Sequence, residues 1–241
     1  MGAPTAFGDE FLDWLRRKTE GAWASWEPRD FFAEEIGGVD WQRGTRWLGG
    51  IDDATIDAAE ARLEVRFPAD YRLFLRRLHA PDRAMTGAFF GGPAGELVPR
   101  ERPSFYRVDG TDDDAIRDAH EGVIDGLSFD VEHNQLWLDD WGPRPESEAE
   151  RAALVRERVA AAPALIPLFG HRLLLGEPCA IGNPVLSVHQ SDMIVYGGDL
   201  REYLLHELAG VIGPEADTAL RASTPRPFDL AAIPFWGDFL S

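Results

Sequence analysis

The sequence predicts an α+β fold, with helices packed on a mainly antiparallel or mixed sheet, and three observations carry that prediction. Apolar residues at helical spacing occupy the first third of the chain and its closing stretch. Short aromatic or β-branched runs bounded by Gly and Pro fill the middle. The two kinds of segment are grouped along the chain instead of alternating, which favours α+β over a parallel α/β sheet. With 241 residues, 44% of them hydrophobic, the chain can bury roughly 70% of its unfolded surface, and a single domain over 1–241 is expected.

Residues 9–35 set Phe11, Leu12, Leu15, Trp23 and Trp26 among charges, the pattern of one or two amphipathic helices broken near Pro28. A Trp-rich link, DWQRGTRWLGG, follows. Ile56, Ala59 and Leu63 then line one helix face opened by Asp52, Asp53 and Thr55, and Tyr71, Phe74, Leu75 and Leu78 line a second. Pro68 fits the first turn of that second helix, where its missing N–H has no partner to lose. Two short helices therefore meet at Phe67-Pro68. TGAFFGG, GELVP and SFYRV read as a meander of strands, and Asp112, Asp113 and Asp114 open a helix bearing Ile116, Ala119 and Val123, where the helix dipole favours negative charge. LSFDVEHNQLWLDDW alternates Leu127, Phe129 and Val131, then resumes with Leu136 and Leu138 beyond His133-Asn134, as a hairpin does. PESEAERAALVRERVAAAP, over 146–163, is rich in good helix formers. LIPLFGHRLLL and PVLSVHQSDMIVYGG supply further strands, a last helix carries Leu200, Tyr203, Leu204 and Leu208, and the apolar tail 213–241 is expected to pack back on the body.

Charge and motifs narrow the function. Asp and Glu outnumber Lys and Arg by 42 to 24, giving a net charge of -18 that repels a phosphate backbone, so nucleic acid is not an expected partner. No run reaches the ~18 apolar residues of a membrane span, the amino terminus has no basic-then-apolar pattern, and no membrane partner is expected. The single Cys179 cannot form an internal disulfide or a cysteine zinc site, which fits a reducing cytoplasm. G-x-S-x-G, G-x-x-x-x-G-K, H-E-x-x-H and post-strand G-x-G-x-x-G patterns are absent, so the sequence names no catalytic residue, cofactor or metal.

A scatter of polar residues on the expected strands remains: Asp130, Glu132 and His133, then His171 and Arg172, then His189, Gln190 and Asp192. Within a strand, Asp130 and Glu132 would share one face opposite Phe129 and Val131, and Trp137, out of phase with Leu136 and Leu138, would join the polar side. Such a face is a candidate partner-binding surface. The alternative is a metal-dependent enzyme or small-ligand binder, which needs these strand ends to converge.

The proline corner resembles the SUKH superfamily. The matching positions are Trp47, Gly49 or Gly50, Ile56, Glu60, Leu63, Phe67-Pro68, Asp70-Tyr71 and Phe74-Leu75, with Asp192, Tyr196, Gly197, Leu200, Tyr203 and Leu204 resembling the closing strand and helix. Glu64 stands where the family often has Gly, and His79-Ala80-Pro81 replaces a usual Asn-Gly-Gly. The resemblance implies a family core over 46–212, elaborated by an amino-terminal helical region at 1–45 and an inserted helix at 146–163. It also implies protein binding by the exposed sheet face and its loops, as in bacterial immunity proteins that neutralise a cognate toxin, often a nuclease, or in regulatory and scaffolding relatives. An acidic chain suits a basic toxin domain.

Overall fold

The computed structural model describes residues 2–92, 95–177, 180–222 and 233–240; Cys179 and part of the tail lie outside them. Helix α1 (Asp9–Trp23) buries Phe11, Leu12, Leu15 and Trp23 on one side. Helix α2 (Asp53–Leu63) begins where Asp52 accepts the Thr55 N–H at 2.8 Å, and it buries Ile56 and Ala59, with Leu63 half-buried. It ends at Glu64, whose φ of 54° is the left-handed value that Gly tolerates best. Helix α3 (Ala69–Arg77) follows at once, with Pro68 just ahead of the first turn instead of inside it.

The corner between α2 and α3 is held by buried carboxylates. Glu60 accepts the Phe67 N–H at 2.8 Å and pairs with Arg72 at 3.0 Å. Asp70 accepts the Gly182 N–H at 2.7 Å, so it clamps a distant loop in addition to facing the helix dipole. Burial raises its pKa, against the N–H bonds from Gly182 and Tyr71. Tyr71, Phe74 and Leu75 are buried, and Trp47 meets Phe74 edge-on at 5.9 Å while its indole N–H reaches Thr19 at 2.8 Å. Of the two candidate glycines, Gly50 is the constrained one: a Cβ there would lie 1.7 Å from the Arg76 carbonyl oxygen, whereas one at Gly49 would meet open space.

The strands form two sheets instead of one. The first joins β1 (Gly38–Asp40), β2 (Met85–Phe90) and β3 (Leu97–Arg102) in that order. The second joins β4 (Leu165–Phe169), β5 (Arg172–Leu175), β6 (Val185–His189) and β7 (Asp192–Gly197), and neighbouring strands in both are antiparallel. SFYRV is not a strand. Its buried residues Ser104, Phe105 and Val108 do not alternate, and Phe105 packs among Trp47, Phe74 and Phe169.

The expected hairpin at 127–138 is also corrected. Residues up to His133 belong to the long helix α4 (Asp113–His133), which buries Val123, Ile124, Leu127, Asp130 and Val131. Helix α5 (Glu148–Ala161) packs beside it, capped by Ser147, and α6 (Leu200–Glu207), α7 (Ala209–Ile212) and α8 (Pro214–Arg221) follow β7.

The four-stranded sheet is the centre of the body, and both its faces are covered except at β7, where Asp192 and Ile194 stay exposed. Ile166, Leu168, Leu174 and Val185 pack into one core with α1, α2, α3 and α6. Leu165, Leu173, Leu175, Leu186 and Met193 pack into a second with α4, α5 and the tail residues Ile233 and Trp236. Trp236 is 1% exposed and donates to the Pro163 carbonyl at 2.7 Å. The described part of the tail, 233–240, is therefore docked, and of the expected free sheet face only a strip at β7 remains, where Asp192 and Ile194 are exposed.

Candidate functional site

What the four-stranded sheet leaves open is its end, where the β4–β5 and β6–β7 turns lie side by side. Gly170 (φ 57°) and Gln190 (φ 59°) both turn the chain through left-handed backbone. His171, His189 and Gln190 line a cavity of about 290 Å3, closed on its other side by Gly122 and Gly126 of α4. Gly126 permits the approach, since a Cβ there would sit 3.0 Å from the Gln190 Cα. Asp130 secures the same turn from below, accepting the Ser191 N–H at 2.8 Å and the Ser191 hydroxyl at 2.5 Å while Asn134 donates to its other oxygen at 2.6 Å. Burial pushes the Asp130 pKa up, but the Ser191 and Asn134 bonds outweigh it and hold the carboxyl below its ordinary value.

Arg172 faces the opposite side of the sheet. It donates to the Ser187 hydroxyl at 2.5 Å, covers the Tyr196 ring at 3.7 Å and pairs with Glu207 of α6 at 3.4 Å. Its Nη1 also meets His171 Nε2, which must then accept, so that imidazole is neutral. Burial lowers the His171 pKa, and the neighbouring Arg172 charge lowers it further. Glu207 has its pKa raised by burial, partly offset by Arg172.

The remaining expected residues go elsewhere. Two residues apart on a helix, Asp130 and Glu132 point to nearly opposite sides, not to one face. Glu132 pairs with Arg151 of α5 at 2.6 Å and 2.5 Å, tying the two helices together. The exposed His133 leans on Phe129, with ring centroids 4.5 Å apart. Trp137 donates to the Gly142 carbonyl at 2.7 Å, meets Trp141 edge-on and lies under Arg144, which accounts for its side chain without a partner. Asp192 is exposed as the cross-strand partner of His189. Among the described residues no three His, Cys, Asp or Glu side chains gather as a metal site would require.

The three-stranded sheet presents a surface that the scatter of polar residues did not indicate. It projects as an arm whose β2 and β3 are buried only at Met85 and Ala88. Phe90 is 62% exposed and Phe89 and Phe32 are nearly half exposed. The segments forming this arm, 27–40 and 85–102, also expose Glu27, Asp30, Glu34, Glu35, Glu96 and Glu101 against Arg29 and Arg100. A signal for it was present in TGAFFGG: adjacent Phe residues in a strand must point to opposite faces, so an arm thin enough to bury neither leaves both in water.

Neither a family model, a curated protein nor a solved structure matches this chain.

Proposed function

We propose that this chain is a protein-binding module that captures a basic partner through the β1–β2–β3 arm. The observation that carries the reading is the exposure of Phe32, Phe89 and Phe90 on this arm, the last two on opposite faces of β2, within a predominantly acidic surround. Exposed aromatics are the residues that anchor interfaces once desolvated, and carboxylates around them favour a cationic partner and speed its encounter. The net charge of -18 acts in the same direction over longer range. In the finer form suggested by the SUKH resemblance, the chain is a bacterial, cytoplasmic immunity protein and the partner a cognate toxin domain, such as a nuclease. The surface differs from the one the resemblance implies, because the four-stranded sheet is covered on both faces except for a strip at β7.

The test is capture from the native host with wild-type and Phe89→Ala/Phe90→Ala protein. A basic protein should be retained by the wild type, at least about 10-fold more weakly by the double variant, and more weakly as salt rises. Retention that ignores both the substitutions and the salt removes the arm as the binding face.

A further inference from the structure

Where the arm meets the body, a cleft of about 310 Å3 opens between β2–β3 and α6–α7. Its walls are apolar at Trp41, Met85, Phe169 and Val211, and three charged side chains border it: Asp40, Arg102 and Glu207. Two of the three are engaged. Asp40 accepts from the Trp26 indole at 3.1 Å and from the Arg29 and Trp41 N–H groups at 3.0 Å and 2.7 Å. Glu207 leans on Arg172.

Arg102 is not engaged. Its guanidinium rests on the Phe169 ring, 5.0 Å from the centroid, and among the described residues it has neither a hydrogen-bond acceptor nor an ion pair. Its Nε is fully buried without a partner. Other arginines drawn from solvent behave differently: Arg72 closes on Asp57 and Glu60, Arg151 on Glu132 and Arg62 on Asp113. A half-buried guanidinium with no acceptor loses hydration without compensation. Burial, then the nearby Arg100 charge, lower its pKa, and Tyr106 and Glu207 offset this only in part. Room for it is kept by Gly170, where a Cβ would come within 3.3 Å of Nη1.

We propose that this cleft binds a small organic monocarboxylate, with the Arg102 fork on the carboxylate and the apolar walls around the body of the ligand. The planar guanidinium matches a carboxylate in bidentate geometry. A single negative charge is favoured over a doubly charged phosphate because Glu207 and Asp40 border the same space. A volume of this size suits a ligand of about ten to fifteen heavy atoms.

Calorimetric titration with phenylacetate tests the site. Saturable binding is expected with a Kd of about 1 mM or tighter. The uncharged isostere phenylacetamide should bind at least about 10-fold more weakly, and Arg102→Gln should cost a similar factor with its circular dichroism unchanged. Gly210→Leu is the second variant: it lines the cleft, a Cβ there meets nothing within 4 Å, and the longer side chain should abolish binding while the fold stays intact. No saturation by about 10 mM, equal binding of the amide, or indifference to both substitutions overturns the proposal. Inorganic phosphate binding more tightly than phenylacetate overturns the choice of carboxylate.

Discussion

The two antiparallel sheets of this protein meet solvent in opposite ways. In the body, β4 is buried along its whole length and β5 along most of it, because LIPLF and RLLL offer an apolar side chain to both faces and helices cover each. In the arm, MTGAFF and LVPRER alternate with glycine, proline and charge, and only Met85 and Ala88 are withdrawn from water. The sheet with the richer apolar sequence buries it in two internal cores, so little beyond the turn tips and Ile194 of β7 is left for recognition, whereas the poorer sheet keeps its aromatics outside.

Unsealing the body should have the largest effect on stability. Trp236 belongs to the tail yet closes the second core, where Phe235 and Phe239 pack around it. Trp236→Ala should cost about 3–5 kcal/mol in urea unfolding. The matching truncation at Phe90, which is 62% exposed, should stay within about 0.5 kcal/mol. A loss below about 1 kcal/mol at Trp236 would mean that the tail does not seal the sheet and that its second face is accessible after all.

The same contrast explains what the sequence made legible. The proline corner, the inserted helix and the closing helix followed from spacing, composition and a cap: Asp52 caps as its position suggests, 148–161 is helical as its composition requires, and Ile56, Phe74 and Leu204 are buried as their periodicity requires. The 127–133 segment was misread because two periods coexist there. Leu127 and Val131 fit both a strand and a helix, and the residue that separates them is Phe129, which alternation would bury beside Leu127 and which is 47% exposed. Gly122 and Gly126 lower the helix propensity of this stretch, and Gly126 serves the close approach of the β6–β7 turn. His171, Arg172, His189 and Gln190 do come to one end of the sheet, since hairpin tips of equal reach must. Which faces are covered depends on α4, α5 and a tail far away in sequence, and no local pattern encodes that. Arg102 gave no signal because its lack of a partner is a property of its surroundings.

A medium effect is expected at the junction where the chain leaves the body for the arm. His79 is 2% exposed, takes a φ of 59° and leaves Nε2 without a partner. Burial depresses its pKa below 6.5; Asp109 and Asp112 oppose the shift, and Arg107 adds to it. The unfolded chain therefore binds a proton that the folded chain refuses, and stability falls as pH drops from about 6.5 toward the folded value, by up to ~1.4 kcal/mol per pH unit. His79→Asn keeps a residue that tolerates left-handed backbone and removes the titration. Urea midpoints at pH 7.5 and 5.5 should differ less in the variant than in the wild type; an equal difference assigns the pH dependence to other groups.

The smallest expected effect compares backbone strain in the two regions. Glu64 ends α2 at φ 54° in the body, and Glu35 turns the chain at φ 55° beside the arm. Both are exposed, so neither substitution by Gly removes a buried contact. At Glu64 the corner cannot relax, because Glu60 accepts the Phe67 N–H while its own carbonyl accepts the Glu64 and Val65 N–H groups. Glu64→Gly should therefore relieve more strain than it adds in unfolded-state entropy, a net gain of about 0.5–1 kcal/mol. Around Glu35 the Phe32 and Phe31 carbonyls hold the Glu35 and Ile36 N–H groups at 3.3 Å and 3.1 Å, but no buried carboxylate ties this turn as Glu60 ties the corner, so it can relax more readily without the substitution. Glu35→Gly should then change stability by less than Glu64→Gly, within about 0.3 kcal/mol of zero. Equal gains at the two sites would mean that the arm's turn is held as firmly as the body's corner, and that its openness to solvent is not looseness.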